Sequence, residues 1–87
     1  MTKSNTWFVY ILECHDFTFY TGITTDVERR LTEHNEGKLG ARYTRARLPV
    51  KLVYSEKSEN RSAASKREWE IKKLSRKQKK ELISDKD

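Results

Sequence analysis

The run Trp7-Phe8-Val9-Tyr10-Ile11-Leu12 is apolar on both of its alternating faces. A strand of that kind needs cover on both sides, so it reads as the central strand of a layered fold. His15-Asp16-Phe17-Thr18 supplies a turn behind it, and Phe19 to Ile23, β-branched and aromatic, reads as the second strand of a hairpin. Thr25-Asp26-Val27-Glu28 fits a capping box, with the Thr25 hydroxyl taking the Glu28 amide and the Glu28 side chain reaching back. The helix it opens carries Val27, Leu31 and His34 at three-four spacing and is expected to stop at Gly37. Lys38 to Pro49 reads as a loop, and Val50-Lys51-Leu52-Val53-Tyr54 as a third strand. Asn60 to Leu74 reads as a helix with Ala64, Arg67, Ile71 and Leu74 on one stripe. Ser75-Arg76-Lys77-Gln78 is a second capping box, opening a last helix anchored by Leu82 and Ile83. The order β-β-α-β-α-α, with short connections, implies an α+β fold: a small three-stranded antiparallel sheet flanked by helices.

A chain of 87 residues makes one domain, 1–87, with its core over about 6–83. It carries 19 basic against 13 acidic residues, and a net charge of +6 on so small a chain favours a polyanionic partner: DNA, RNA or a membrane surface. Cys14 is the only cysteine, so no disulfide forms within the chain, and its apolar surroundings suit packing rather than reaction. No CxxC or His/Cys cluster suggests zinc. The polar start, Met1 to Thr6, lacks the apolar core of a secretion signal, and no apolar run is long enough to span a bilayer. The expected setting is a reducing cytoplasm, with no membrane partner.

Tyr10 and Tyr20, each alone, would read as core residues with the hydroxyl at the rim. Together with Gly22 they suggest more, because a glycine within a strand often marks a close approach to the backbone. Tyr10 and Tyr20 share a sheet face only if the hairpin loop holds an odd number of residues or a bulge shifts the register. A loop of His15-Asp16-Phe17 sets Tyr10 opposite Gly22 and diagonal to Tyr20, and leaves space before the Tyr10 hydroxyl. Arg30 and His34 stand four apart beside the Val27 and Leu31 stripe, where both can turn toward the sheet. An arginine fork suits the paired oxygens of a phosphate. Arg29 fits a solvated helix face better. Glu68 lies at the edge of the stripe that holds Ile71, and there it is partly exposed, paired with Lys72, or a metal ligand. Magnesium is commonly held by one or two carboxylates plus waters and substrate oxygens, so one glutamate suffices. Glu70 is the rival, on the more solvated side. Arg42-Tyr43-Thr44-Arg45-Ala46-Arg47 interleaves arginine with an aromatic, the residue types that phosphate contact and base stacking require. Lys72, Lys73 and Arg76 begin a basic C-terminal end that reads as a diffuse electrostatic footprint.

The pattern resembles the GIY-YIG nuclease domain, named for two tripeptides on adjacent strands. Val9-Tyr10-Ile11 stands in the first motif, with Phe8 where the glycine is usual, and Tyr20-Thr21-Gly22 in the second, with Thr for Ile. Arg30 falls at the family's catalytic arginine, with His34 one turn later, and Glu68, in Arg67-Glu68-Trp69, at its metal-binding glutamate. Tyr20-Thr21-Gly22-Ile23-Thr24 and Lys72-Lys73-Leu74-Ser75-Arg76 resemble more narrowly the small bacterial branch called UPF0213. The resemblance implies a phosphodiesterase dependent on one Mg²⁺ or Mn²⁺ ion. Tyr10 or Tyr20 would deprotonate the attacking water, its pKa lowered by Arg30, the metal and Lys38. Arg30 would neutralise the transition state, and Glu68 would hold the metal. The implied substrate is DNA, with branched, flapped and damaged forms as candidates. Two other readings stand beside it: a module that binds nucleic acid, RNA included, without cutting it, and a nuclease module that takes its specificity from a partner protein.

Overall fold

A computed structural model of the chain describes residues 6–37 and 39–85. The elements run β1 (Trp7–Glu13), β2 (Phe19–Thr24), α1 (Val27–Glu36), α2 (Arg42–Arg45), β3 (Lys51–Ser58), α3 (Arg61–Lys72) and α4 (Arg76–Asp85). The three strands form one antiparallel sheet in the order β2-β1-β3, so the doubly apolar run is the central strand. Val9, Ile11, Tyr54, Ala64 and Ile71 make a core on the face covered by α3, with Leu82 and Ile83 of α4 packed against it. Tyr10, Leu12, Cys14 and Val50 make a second core on the opposite face, with Tyr20, Leu31 and Leu48.

The hairpin has the register that an odd loop requires. Cys14 N–H donates to Thr18 O at 2.8 Å, which leaves residues 15–17 as the loop. Phe17 closes it in the left-handed region, φ 67°, as the last residue of a three-residue hairpin loop commonly does. Tyr10 therefore faces Gly22, and Leu12 faces Tyr20.

Three expectations change. The cap of α1 is Asp26, whose carboxylate accepts from Arg29 N–H at 3.0 Å, and not Thr25. Thr24 Oγ1 holds the Asp26 amide at 3.1 Å, and an ionised carboxylate is the better acceptor at a helix N-terminus. The stretch read as a loop contains α2, one helical turn that is too short to show a period; Lys38 lies outside the described residues. β3 begins at Lys51 and runs on to Ser58, past the expected end at Tyr54. As an edge strand it carries Glu56 and Lys57, charges that blunt an exposed edge and hide the apolar alternation. The second capping box is present: Gln78 N–H donates to Ser75 Oγ at 3.1 Å and Ser75 N–H to Gln78 Oε1 at 2.9 Å. Among the described residues no helix is long and apolar enough to cross a membrane.

Candidate functional site

The side chains converge where β1, β2 and α1 meet. Gly22 has no side chain, and the Tyr10 ring lies over it: a Cβ built on Gly22 would sit 2.5 Å from the Tyr10 hydroxyl oxygen and 2.7 Å from Cζ. His34, wholly buried on α1, receives that hydroxyl at Nε2, 3.0 Å away. Its other nitrogen, Nδ1, lies 2.8 Å from Thr44 Oγ1. The Thr44 proton goes to Ala41 O at 2.9 Å, so Thr44 Oγ1 accepts from His34 Nδ1–H. The Ala41 N–H also donates toward Nδ1, from the longer distance of 3.4 Å. The shorter contacts favour the tautomer with the proton on Nδ1, which offers the Nε2 lone pair to Tyr10.

Tyr20 packs its ring edgewise on His34, with centroids 5.2 Å apart, and 6.4 Å from Tyr10. Tyr43 of α2 stacks outside it at 6.3 Å, and Arg47 lies 3.8 Å over the Tyr43 ring. The aromatics thus form a file from the buried Tyr10 outward to Tyr43. Arg30 is held by two bonds from Nη1, to Leu39 O at 2.7 Å and to Glu33 Oε1 at 2.9 Å.

Burial sets the electrostatics. It pushes the Tyr10 hydroxyl up to about 12, against the pull of the Arg30 guanidinium beside it; the Tyr20 and Glu68 charges push the same way as burial. It also holds His34 down to about 4, helped by the Arg30 charge, so the imidazole is neutral at pH 7. α3 covers the other face of the sheet and carries Glu68. Glu68 is partly buried, and its carboxylate pairs with Lys72 at 3.2 Å.

The structure therefore brings Tyr10, Gly22, Tyr20, Arg30 and His34 together, while Glu68, on α3, has Lys72 as its ion-pair partner. One geometric expectation changes: the space that Gly22 leaves is not open before the Tyr10 hydroxyl but is filled by the Tyr10 ring itself, which is 2% exposed. Arg47 and Arg76 have partners within the chain. Arg47 pairs with Asp16 at 3.0 Å and donates to Tyr43 O, while Arg76 donates to Phe17 O at 2.6 Å and lies over Phe19. Lys73 lies 4.1 Å over the exposed Trp69 ring. Arg42 and Arg45 are exposed, with no carboxylate partner among the described residues.

Two contributors escaped the sequence reading. Thr44 is wholly buried and orders His34, yet a threonine in a basic loop carries no periodic signal. Gly40 lets the chain press on α1, where a Cβ would lie 2.8 Å from His34 Cα, and so delivers Ala41 and Thr44 to the imidazole.

A magnesium-type ion suits a single partly buried carboxylate such as Glu68, now paired with Lys72, because such an ion takes hard oxygen ligands and draws the rest of its sphere from waters and substrate oxygens. No group of three or more metal-ligating His, Cys, Asp or Glu occurs among the described residues, so the protein would supply few of the ligands.

Residues 6–81 match the GIY-YIG catalytic domain. A UPF0213 protein of Desulfotalea psychrophila is 57% identical over 82 residues, covering 94% of this chain and 74% of that one. A UPF0213 protein of Natronomonas pharaonis is 55% identical over 78 residues, 90% of this chain and 91% of that one. Among solved structures, the solution NMR structure of a protein from E. faecalis superposes with a TM-score of 0.63 at 48% identity, covering 97% of this chain and 88% of that one. That of a UPF0213 protein from Bacillus halodurans gives 0.60 at 48%, covering 93% and 85%.

Proposed function

The chain belongs to the GIY-YIG catalytic domain family, in its UPF0213 branch, and from that premise we propose that it is a nuclease hydrolysing phosphodiester bonds in DNA. The observation that carries this reading is the Tyr10 hydroxyl, lodged over Gly22 between a histidine acceptor and the Arg30 guanidinium. A surface built only to bind phosphate has no use for a buried tyrosine whose proton is aimed at a neutral imidazole.

Tyr10 takes a proton from the attacking water as its own proton passes to His34 Nε2. Thr44 holds the imidazole in the tautomer that can receive it. At rest the proton stays on Tyr10, since burial opposes charge on both partners. Arg30 is the positive group that favours a tyrosinate, and its fork faces the charge that grows on the phosphoryl oxygens as water adds and the ester oxygen leaves. Tyr20 offers a hydroxyl with no hydrogen-bond partner among the described residues and orients the water or a phosphate oxygen. Glu68 would hold a divalent ion, Mg²⁺ or Mn²⁺, which supplies Lewis-acid stabilisation of the departing oxygen. Arg42, Tyr43 and Arg45, with Lys73, offer the strand a basic and aromatic flank, while Arg47 and Arg76 serve first to pin that flank to the hairpin. A reduced, cytoplasmic setting is consistent with the free, buried Cys14, and a partner protein that selects the substrate is compatible with a site that has no base-reading helix beside it among the described residues.

The test is cleavage of a panel of labelled DNA and RNA structures with Mg²⁺ or Mn²⁺. Glu68→Gln is expected to abolish cutting and keep binding. Arg30→Lys should fail as well, because a point charge does not reproduce the planar fork. Tyr10→Phe should lose at least about a hundredfold in rate, as expected for removal of a general base, while Tyr20→Phe keeps part of it. Full cleavage by the Glu68→Gln protein would sink the metal-dependent mechanism, and a stronger loss at Tyr20 than at Tyr10 would reverse the assignment of the base.

A further inference from the structure

Arg30 has a second outlook. Its side chain also lines an open cleft of about 350 Å³ between the start of α1 and the start of α3, together with Trp7, Ile23, Arg29, Glu33 and Arg61. Three arginines there face one carboxylate. Glu33 is already shared, with Arg30 at 2.9 Å and Arg29 at 3.5 Å. Arg61 has no carboxylate within ion-pair distance among the described residues; its guanidinium lies instead 5.8 Å from the centre of the Trp7 ring. The cleft thus holds excess positive charge next to the arginine that faces the reacting phosphate.

Arg61 is also placed by a rigid element. It is the first residue of α3, whose N-cap Asn60 accepts from Ala63 N–H at 2.8 Å. Glu68 follows on the same helix at the i+7 position, so the two share a helix face. Seven residues of α-helix separate them by about 10 Å, roughly the rise of three nucleotides in a stacked strand.

We propose that this cleft holds a second backbone phosphate of the bound strand, a few nucleotides from the one that is cut, with Arg61 as its ligand and Trp7 as the surface that keeps Arg61 in place. A guanidinium already within cation–π range of an indole loses less freedom when a phosphate docks, and its fork can take two oxygens at once. Any strand carries phosphates at this spacing, so the contact adds affinity and sets the direction of the strand without reading its bases. The inference rests on the reading of the site as one that acts on nucleic acid.

The test uses the full chain with Trp69→Phe, which leaves Trp7 as its only indole. Short oligothymidylate is titrated without added metal, so nothing is cut, and oligouridylate in a parallel arm separates DNA from RNA as the source of the phosphate. Trp7 emission is expected to change as the strand binds. Arg61→Ala should bind about tenfold more weakly, with the slope of log K against log salt shallower by about one. Arg61→Lys should restore the slope and only part of the affinity. If Arg61→Ala keeps the affinity and salt slope of its parent, the subsite is overturned while nucleic-acid binding, and with it the proposed activity, stands. If the parent binds neither oligonucleotide at low salt, both readings fall together.

Discussion

Gly22 and Tyr10 are a coupled pair, and the coupling can be measured. A Cβ on Gly22 would meet both the hydroxyl and Cζ of Tyr10, so the ring has to swing away from His34. Gly22→Ala is therefore expected to cost about 1–3 kcal/mol, the usual range for overpacking, and to abolish cleavage while binding persists. In a Tyr10→Phe background the same change should cost less, because the nearest atom is gone; equal losses in the two backgrounds, read by urea unfolding, would show that the clash is relieved elsewhere. The pair was visible in the sequence as a tyrosine, a glycine and a loop whose length had to be odd. How deeply Tyr10 is buried was not visible, because exposure depends on what α1 and the chain around Gly40 lay over it.

Between elements, one side chain that carries no periodic signal ties the residue before β3 to α1. Asn35 takes the Val50 N–H at 2.8 Å through Oδ1 and gives Nδ2–H to Val50 O at 3.0 Å, pairing with the backbone much as a neighbouring strand would. Val50 is buried, so removing the amide leaves two backbone groups short of partners. Asn35→Leu should destabilise by about 2–3 kcal/mol, and Asn35→Asp, which keeps the acceptor and loses the donor, by less. Amide exchange at Val50 would report the loss directly; unchanged protection in the Leu variant would place the anchor elsewhere. Elements with local causes were legible: the hairpin, the Ser75 capping box and the stripe of α3 all follow from residues a few positions apart. α2 and the far half of β3 were not, the first because one turn is shorter than any period, the second because an edge strand is free to carry charges.

At the scale of the whole molecule, the buried histidine ties stability to pH. In the unfolded chain His34 takes a proton near its ordinary 6.5, whereas in the folded one it resists down to about 4. The unfolded state therefore binds more protons between those values. Stability is fully present above pH 6.5 and falls as pH drops toward 4, by about 3 kcal/mol from this one group. For a domain this small that is a large part of the total. His34→Gln, which cannot titrate, should be less stable at pH 7 yet lose less between pH 7 and 4 than the parent, since the carboxylates respond alike in both proteins. Parallel losses in urea unfolding would assign the acid sensitivity to the carboxylates alone.

The sequence by itself determined the order of the elements other than α2, the central place of β1 and the register that sets Tyr10 against Gly22. These follow from alternation, loop length and capping, which act over a few residues. It also marked Tyr10, Tyr20, Gly22, Arg30 and His34, which meet in the fold, because two strand motifs and a helix repeat of four each constrain a face. Only the tertiary structure decided that Thr44 sets the His34 tautomer, that Tyr10 lies under the surface rather than on it, and that Arg61 rests on Trp7 beside Arg30. Those contacts join residues far apart in the chain. Their existence depends on how two layers of helix close over a sheet, and no local pattern encodes that closure.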